Sequence, residues 1–252
     1  MTPPDTAHRP SSRVAVVTGA GGGLGRTFAT ALADAGWTVA ALGRTRSTLA
    51  ETVAGCRGDG HLAVVCDVTD EASVTGAFAR VTSALGRLDL LVNNAGVPGA
   101  TGRIDTVDPA EFEATVRTNL TGTFLCTRVA FAWMATHGGG RVINNGSIAA
   151  HAPRAGAAAY AASKAAVASL TVSTALDGRD VGITATELDI GNARTALLDT
   201  FTSTGPADPT AEPTFEAAEA ARLLVSVAGM PAGVSVDRVT VTAAGMPYLG
   251  RG

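Results

Sequence analysis

From residue 13 onward, short apolar runs rich in β-branched residues alternate with longer Ala-rich stretches of helical length. The short runs RVAVVTG (13–19), WTVAAL (37–42), HLAVVC (61–66), LDLLVN (88–93), GRVINNGS (140–147), GITATELD (182–189) and DRVTVT (237–242) predict seven strands. Helices are expected over 24–35, 45–55, 70–85, 109–136, 158–177 and 215–228. Apolar strands separated by helices predict βαβ units and a parallel sheet covered on both faces. The expected fold is α/β, a single doubly wound domain spanning 13–252 with a seven-stranded parallel sheet. Residues 1–12, MTPPDTAHRPSS, are polar and Pro-rich and read as a flexible tail. The stretch 192–214, interrupted by Pro206, Pro209 and Pro213, is long for a connection and reads as a substrate lid.

Composition removes several classes of function. At 252 residues with 46% apolar and 16% charged positions, the chain can bury a large core. A net charge of -3 gives no footprint for nucleic acid or anionic membrane, and no apolar run reaches spanning length. Cys56, Cys66 and Cys126 are an odd number without metal-ligand spacing, and the N-terminus lacks an apolar signal core, so a reducing, cytoplasmic setting is expected. His8, His61, His137 and His151 show no ligand spacing either, and no metal site is expected. The 19 basic residues resolve into 18 arginines and one lysine, Lys164. Lysine is a compact ammonium with a movable pKa, whereas arginine is a broad fork that stays charged. Position 164 is therefore singled out before any motif is considered.

The first strand runs into TGAGGGLG, placing Thr18, Gly19, Gly23 and Gly25 at the spacing TGxxxGxG. A glycine turn between strand and helix lets backbone N–H groups approach a pyrophosphate, and Gly19, Gly22, Gly23, Leu24 and Gly25 are the candidate contacts. Read alone, the same glycines are turn composition. After the second strand Gly43 stands where an acid would take ribose hydroxyls, and Arg44 follows. Its guanidinium suits a 2′-phosphate, which points to NADP(H) over NAD(H), unless Arg44 is a solvated helix-start residue. Asp67 and Val68, ending the third strand, are placed near the adenine, though an acid here could also cap the next helix, a role Asp70 fits better.

NNAG (93–96) follows the fourth strand, Asn119 lies in the expected helix 109–136, Ser147 ends the fifth strand, and YAASK (160–164) comes 13 positions after the serine. With TGAGGGLG these motifs, in this order, resemble the classical short-chain dehydrogenases/reductases over nearly the whole chain from Arg13 to about Thr242. Tyr160 and Lys164, at i and i+4, share a helix face. A free phenol titrates near ~10, and an adjacent ammonium is expected to bring it down toward the working range. The resemblance implies a Rossmann-type fold in which Tyr160 is the acid/base and Lys164 also binds the nicotinamide ribose. It implies that Ser147 orients the substrate oxygen and that Asn119 supports a water in a proton relay. Asn94, Ala95 and Gly96 are implied cofactor contacts, as are Ile190, Gly191 and Thr195 in ELDIGNART, where Ile190 replaces the family's proline. Tyr160 could otherwise be a half-buried aromatic, Ser147 a strand-end hydroxyl and Asn119 a turn cap. His151, four residues beyond Ser147, either faces substrate or is solvated.

The expected activity is hydride transfer between NADP(H) and a small-molecule ketone or secondary alcohol. By resemblance the long helices 109–136 and 158–177 pair across two-fold axes into a homodimer or homotetramer. The alternatives are a nucleotide-sugar epimerase or dehydratase, which would ordinarily carry a larger C-terminal region, and a cofactor-sensing regulator on the same fold. The ending VTAAGMPYLGRG departs from the family and assigns no substrate.

Overall fold

A computed structural model describes residues 12–194, 213–246 and Tyr248. Seven strands, β1 Val14–Thr18, β2 Thr38–Gly43, β3 Leu62–Val65, β4 Leu90–Asn93, β5 Gly140–Asn145, β6 Ile183–Ile190 and β7 Arg238–Val241, form one sheet in the order β3-β2-β1-β4-β5-β6-β7. Each neighbouring pair is parallel. The order reverses beside β1, which opens a crevice between the carboxyl ends of β1 and β4, where α/β sheets bind their ligands. Helices α1 Gly23–Asp34, α2 Arg46–Ala54 and α7 Ala217–Ala228 pack on one face. On the other lie α3 Glu71–Leu85, α5 Gly122–Thr136 and part of α6 Ala158–Gly178.

Strand side chains alternate between these two layers. Ala15, Val17, Leu90 and Val92 join the cluster built on Phe28 and Leu32 of α1 and Leu224 of α7, while Val14, Val16 and Leu91 join Phe78, Val81 and Met134. Two-sided burial is why the strands read as continuous apolar runs. Register carries Thr18, Asn93, Asn145 and Ile190 to one edge of the sheet, so that the loops following them meet there.

The expected helix 109–136 differs from the observed one. Pro109–Val116, α4, is joined to α5 by a π-helical turn, Arg117–Thr121, with helical backbone at its flanks. Gly122 lets the helix approach Val68, since a Cβ there would stand 2.8 Å from Val68 Cγ2. The hydroxyls of Thr118 and Thr123 bond back to the carbonyls of Ala114 and Asn119. A π turn admits one extra residue and re-aims the side chains beside it. The residue re-aimed here is Asn119, buried and directed at the loop after β4.

Candidate active site

The glycine turn is built by close approach. Gly19 has φ +64°, and a Cβ on it would meet Ala95 Cα at 2.8 Å. A Cβ on Gly25 would lie 2.2 Å from the Gly19 carbonyl oxygen and 2.5 Å from Asn94 Nδ2. Thr18 Oγ1 accepts from the N–H groups of Asn94 and Ala95 at 3.0 and 3.1 Å, and Asn94 Nδ2 donates to Thr18 O at 3.1 Å. Gly22 and Gly23 differ, because nothing lies within 4 Å of a Cβ placed on either. Gly22 precedes α1 without any side chain capping that helix. The open space thus sits at an uncapped helix N-terminus, which suits a pyrophosphate.

At the ends of β2 and β3 the side chains are exposed or engaged locally. Arg44 is exposed, and its charge together with that of Arg117 reaches Asp67. Asp67 Oδ1 accepts from Thr69 N at 2.9 Å and Thr69 Oγ1 at 2.8 Å, and these bonds, ahead of the arginines, hold its carboxyl below the usual range. Asp70 caps α3 through Ser73 N. Val68 is a core residue against Gly122.

The chemistry-bearing groups converge at the ends of β5 and β6. Ser147 caps a short 3-10 turn, its Oγ accepting from Ala149 N at 3.1 Å, and its side chain is hydrogen-bonded to Tyr160. Lys164 is buried, and Nζ donates to Asn145 O at 2.6 Å while lying 5.7 Å from the Tyr160 ring centroid. Burial pushes the Tyr160 phenol up, against the opposing Ser147 hydrogen bond and the Arg154 charge. It pulls Lys164 down to about 8, against the charges of Asp189 and Glu187. The expectation that Lys164 would bring the phenol down is therefore corrected in direction, because both groups share a desolvated setting that penalises either charged form.

A model of the family described as short chain dehydrogenase matches residues 13–205. The chain belongs to the short-chain dehydrogenase/reductase family. A short chain dehydrogenase of Monascus purpureus, mpl6, is 40% identical over 194 residues, covering 73% of this chain and 66% of that relative, just under two thirds of its length. Serine dehydrogenase complexed with NADP+ superposes with a TM-score of 0.86 at 26% identity, covering 94% of this chain and 97% of that one. NAD+-bound xylitol dehydrogenase gives 0.85 at 26%, with 93% and 100% covered. Both nicotinamide cofactors thus occur among structural neighbours in this oxidoreductase family.

In this member of the family, Asn119 is a brace. Its Oδ1 accepts from Val97 N at 2.8 Å, and Nδ2 donates to Val97 O and Ser163 Oγ, each at 3.0 Å. All the side-chain donors are spent, so the amide ties the loop after β4 to α6. Gly96 lies against it, with Asn119 Oδ1 at 3.2 Å from a Cβ placed there. Leu24 packs partly on the core, and the Ile190 side chain lies wholly within it, so Ile190 could meet a cofactor only through its backbone. Gly191 N donates to Val241 O at 2.8 Å. Thr195 and most of the expected lid, 195–212, lie outside the described residues. Their flanks are joined by an Ala193–Phe215 bridge and by Arg194 pairing with Glu216 at 2.5 Å.

Four site residues escaped sequence reasoning. Asn145 supplies the carbonyl for Lys164 and donates from Nδ2 to Asn94 Oδ1 at 2.9 Å, linking the lysine to the glycine turn. Arg154 Nη2 donates to Asn192 Oδ1 at 2.9 Å, holding the loop after β5 to that after β6. Glu187 and Asp189 are buried acids on β6, and acids in an apolar strand were the available signal. His151 is not simply solvated, because Nε2 lies 3.2 Å from Asp189 Oδ2. Ligand atoms of His151, Glu187 and Asp189 fall within 4.8 Å of one another, but Arg238 Nε already occupies Glu187 Oε2 at 2.8 Å. The cluster reads as an ion-pair network.

Among the described residues no helix is long and apolar enough to cross a membrane.

Proposed function

We propose that the protein is an NADP(H)-dependent oxidoreductase acting on a small ketone or secondary alcohol, with Tyr160 as acid/base. The observation that carries this reading is the hydrogen-bonded Ser147–Tyr160 pair beside buried Lys164, at the sheet edge that also presents the open glycine turn. A nicotinamide bound there supplies or accepts the hydride. Ser147 holds the substrate oxygen, and Tyr160 passes it a proton or removes one. Burial raises the phenol, so at neutral pH Tyr160 carries the proton that carbonyl reduction consumes. Lys164 positions the ribose, its Nζ held by the Asn145 carbonyl, and Asn119, which braces the loop walling the site, supports the water that links Lys164 to solvent in the proton relay. Gly19, Gly22, Gly23, Leu24 and Gly25 would hold the pyrophosphate. Asn94, Ala95 and Gly96 would hold the adjoining ribose, Asp67 and Val68 the adenine, and Ile190, Gly191 and Thr195 the carboxamide.

The preference for NADP(H) rests on exposed Arg44 following Gly43, with no carboxylate in place to take the ribose hydroxyls. Residues 13–252 are proposed as one catalytic domain, with the segment around 192–214 as its substrate lid, in a cytoplasmic enzyme. A homodimer or homotetramer is supported by Phe112, Phe124, Val172 and Leu176, which stand exposed on α4, α5 and α6. Tyr160→Phe tests the chemistry, since it keeps the ring and removes the transferable proton. Turnover should be lost while NADPH still binds, and undiminished turnover would refute the assignment.

A further inference from the structure

Strand β6 sets Glu187 and Asp189 on one face, 2% and 0% exposed. Buried carboxylates persist only with partners, and those of Asp189 lie in the active site. Its Oδ1 accepts from Ser147 N at 3.0 Å, and its Oδ2 lies 3.2 Å from His151 Nε2 and 3.8 Å from Arg238 Nε. A Cβ on Gly146 would stand 2.4 Å from Asp189 Oδ1 and 3.2 Å from Glu187 Oε1, so the missing side chain lets β5 close on the acids. Asn145, on the other side of Gly146, holds Lys164 through its carbonyl. Three consecutive residues thus join the lysine, the two acids and the serine.

We infer that Asp189 is a positioning residue of the reaction, one buried carboxylate that fixes the Ser147 backbone and sets the charge beside Lys164. This rests on the roles proposed above for Ser147, Tyr160 and Lys164. Lys164 lies beside Tyr160 of its own helix and feels the charges of both acids of β6, while the acids are met by Arg238 from β7 and by His151 from the loop after Ser147. Arg154 acts on Tyr160. Burial pulls the ammonium toward its neutral form, and Asp189 opposes this more strongly than Glu187. Burial and Asp189 also push the Glu187 carboxyl up, against the Arg238 hydrogen bond.

The single lysine makes this measurable. Protein carrying lysine labelled with carbon-13 at Cε shows one such resonance, read without cofactor or substrate. It should titrate near about 8 in the wild type. Asp189→Asn still accepts from Ser147 N but removes the charge, so the midpoint should fall by roughly one unit. In the same variant kcat for ketone reduction, measured about one pH unit above the wild-type midpoint, should drop roughly tenfold with little change in KM, because the alkaline limb of the rate profile should move down with the resonance. Should the amide variant fail to fold, Asp189→Ser, smaller and also uncharged, carries the same test. An unmoved midpoint, or an undiminished kcat, in a folded variant overturns the inference. Because the resonance is read in the free protein, that failure is distinct from a failure of the Tyr160 assignment, which Tyr160→Phe alone decides.

Discussion

Two glycines of the same turn should respond to alanine differently, one losing stability and the other only cofactor affinity. At Gly25 an added Cβ stands 2.2 Å from the Gly19 carbonyl oxygen, so α1 or the turn must retreat by about 1 Å to restore an ordinary contact. Overpacking of this kind costs about 1–3 kcal/mol, against which alanine returns about 0.5–1 kcal/mol of helix propensity. The net loss of about 0–2.5 kcal/mol corresponds to a fall in Tm of up to roughly 10 °C for a chain of this size. Cofactor affinity should fall too, because the displaced atoms belong to Gly19 and Asn94, which shape the turn. At Gly22 the added Cβ meets nothing within 4 Å, and φ of -176° is extended backbone that alanine adopts. Gly22→Ala should therefore leave Tm nearly unchanged while weakening NADPH binding at least ~10-fold, equivalent to ~1.4 kcal/mol, because the methyl enters the space proposed for the pyrophosphate. Thermal melts and nucleotide fluorescence titrations separate the two effects. Wild-type affinity in Gly22→Ala would refute the cradle.

Other outcomes follow from the same geometry. Gly43→Asp with Arg44→Ala should invert the ratio of kcat/KM for NADPH over NADH, since a charge-assisted phosphate contact is worth about 1.5–3 kcal/mol; a wild-type ratio at or below one would withdraw the NADP(H) assignment. Ketone reduction should hold through neutral pH, where Tyr160 and Lys164 both carry their protons, and decline as pH rises through about 8 and the ammonium is lost. Alcohol oxidation, which needs the phenol deprotonated, should instead rise with pH; reduction that accelerates above that point would contradict the assigned protonation states. Light scattering at micromolar concentration should give the mass of a dimer or tetramer, and a monomer would sink the pairing of the exposed apolar helix faces.

The strands were legible because both sheet faces are buried, so every position of a run such as VAVVT is apolar whichever way it points. Helix ends were legible within a residue or two where a cap is local, as at Asp70. The π turn was not, because nothing local in 109–136 breaks the helical pattern. Its position is coupled to Gly122 meeting Val68 and to Asn119 bonding Val97, contacts made across the fold. Tyr160, Lys164 and Ser147 were legible from spacing, since i and i+4 on a helix must face together. Their protonation was not, because the direction of a pKa depends on how much water the folded walls exclude. Asp189, and its pairing with His151, were missed for a related reason. Each looks unremarkable in sequence, and only the convergence of β5, β6 and the loop after Ser147 makes them partners.

Hydride transfer itself is the most direct test. NADPH carrying deuterium at both C4 positions, supplied with an activated ketone, should yield an alcohol with one deuterium on the carbinol carbon. Tyr160→Phe should bind the same cofactor, by fluorescence titration, and form almost none of that product. Failure of the wild type to reduce any of a panel of ketones, an alcohol without the label, or labelled product formed at the wild-type rate by Tyr160→Phe would each contradict the account.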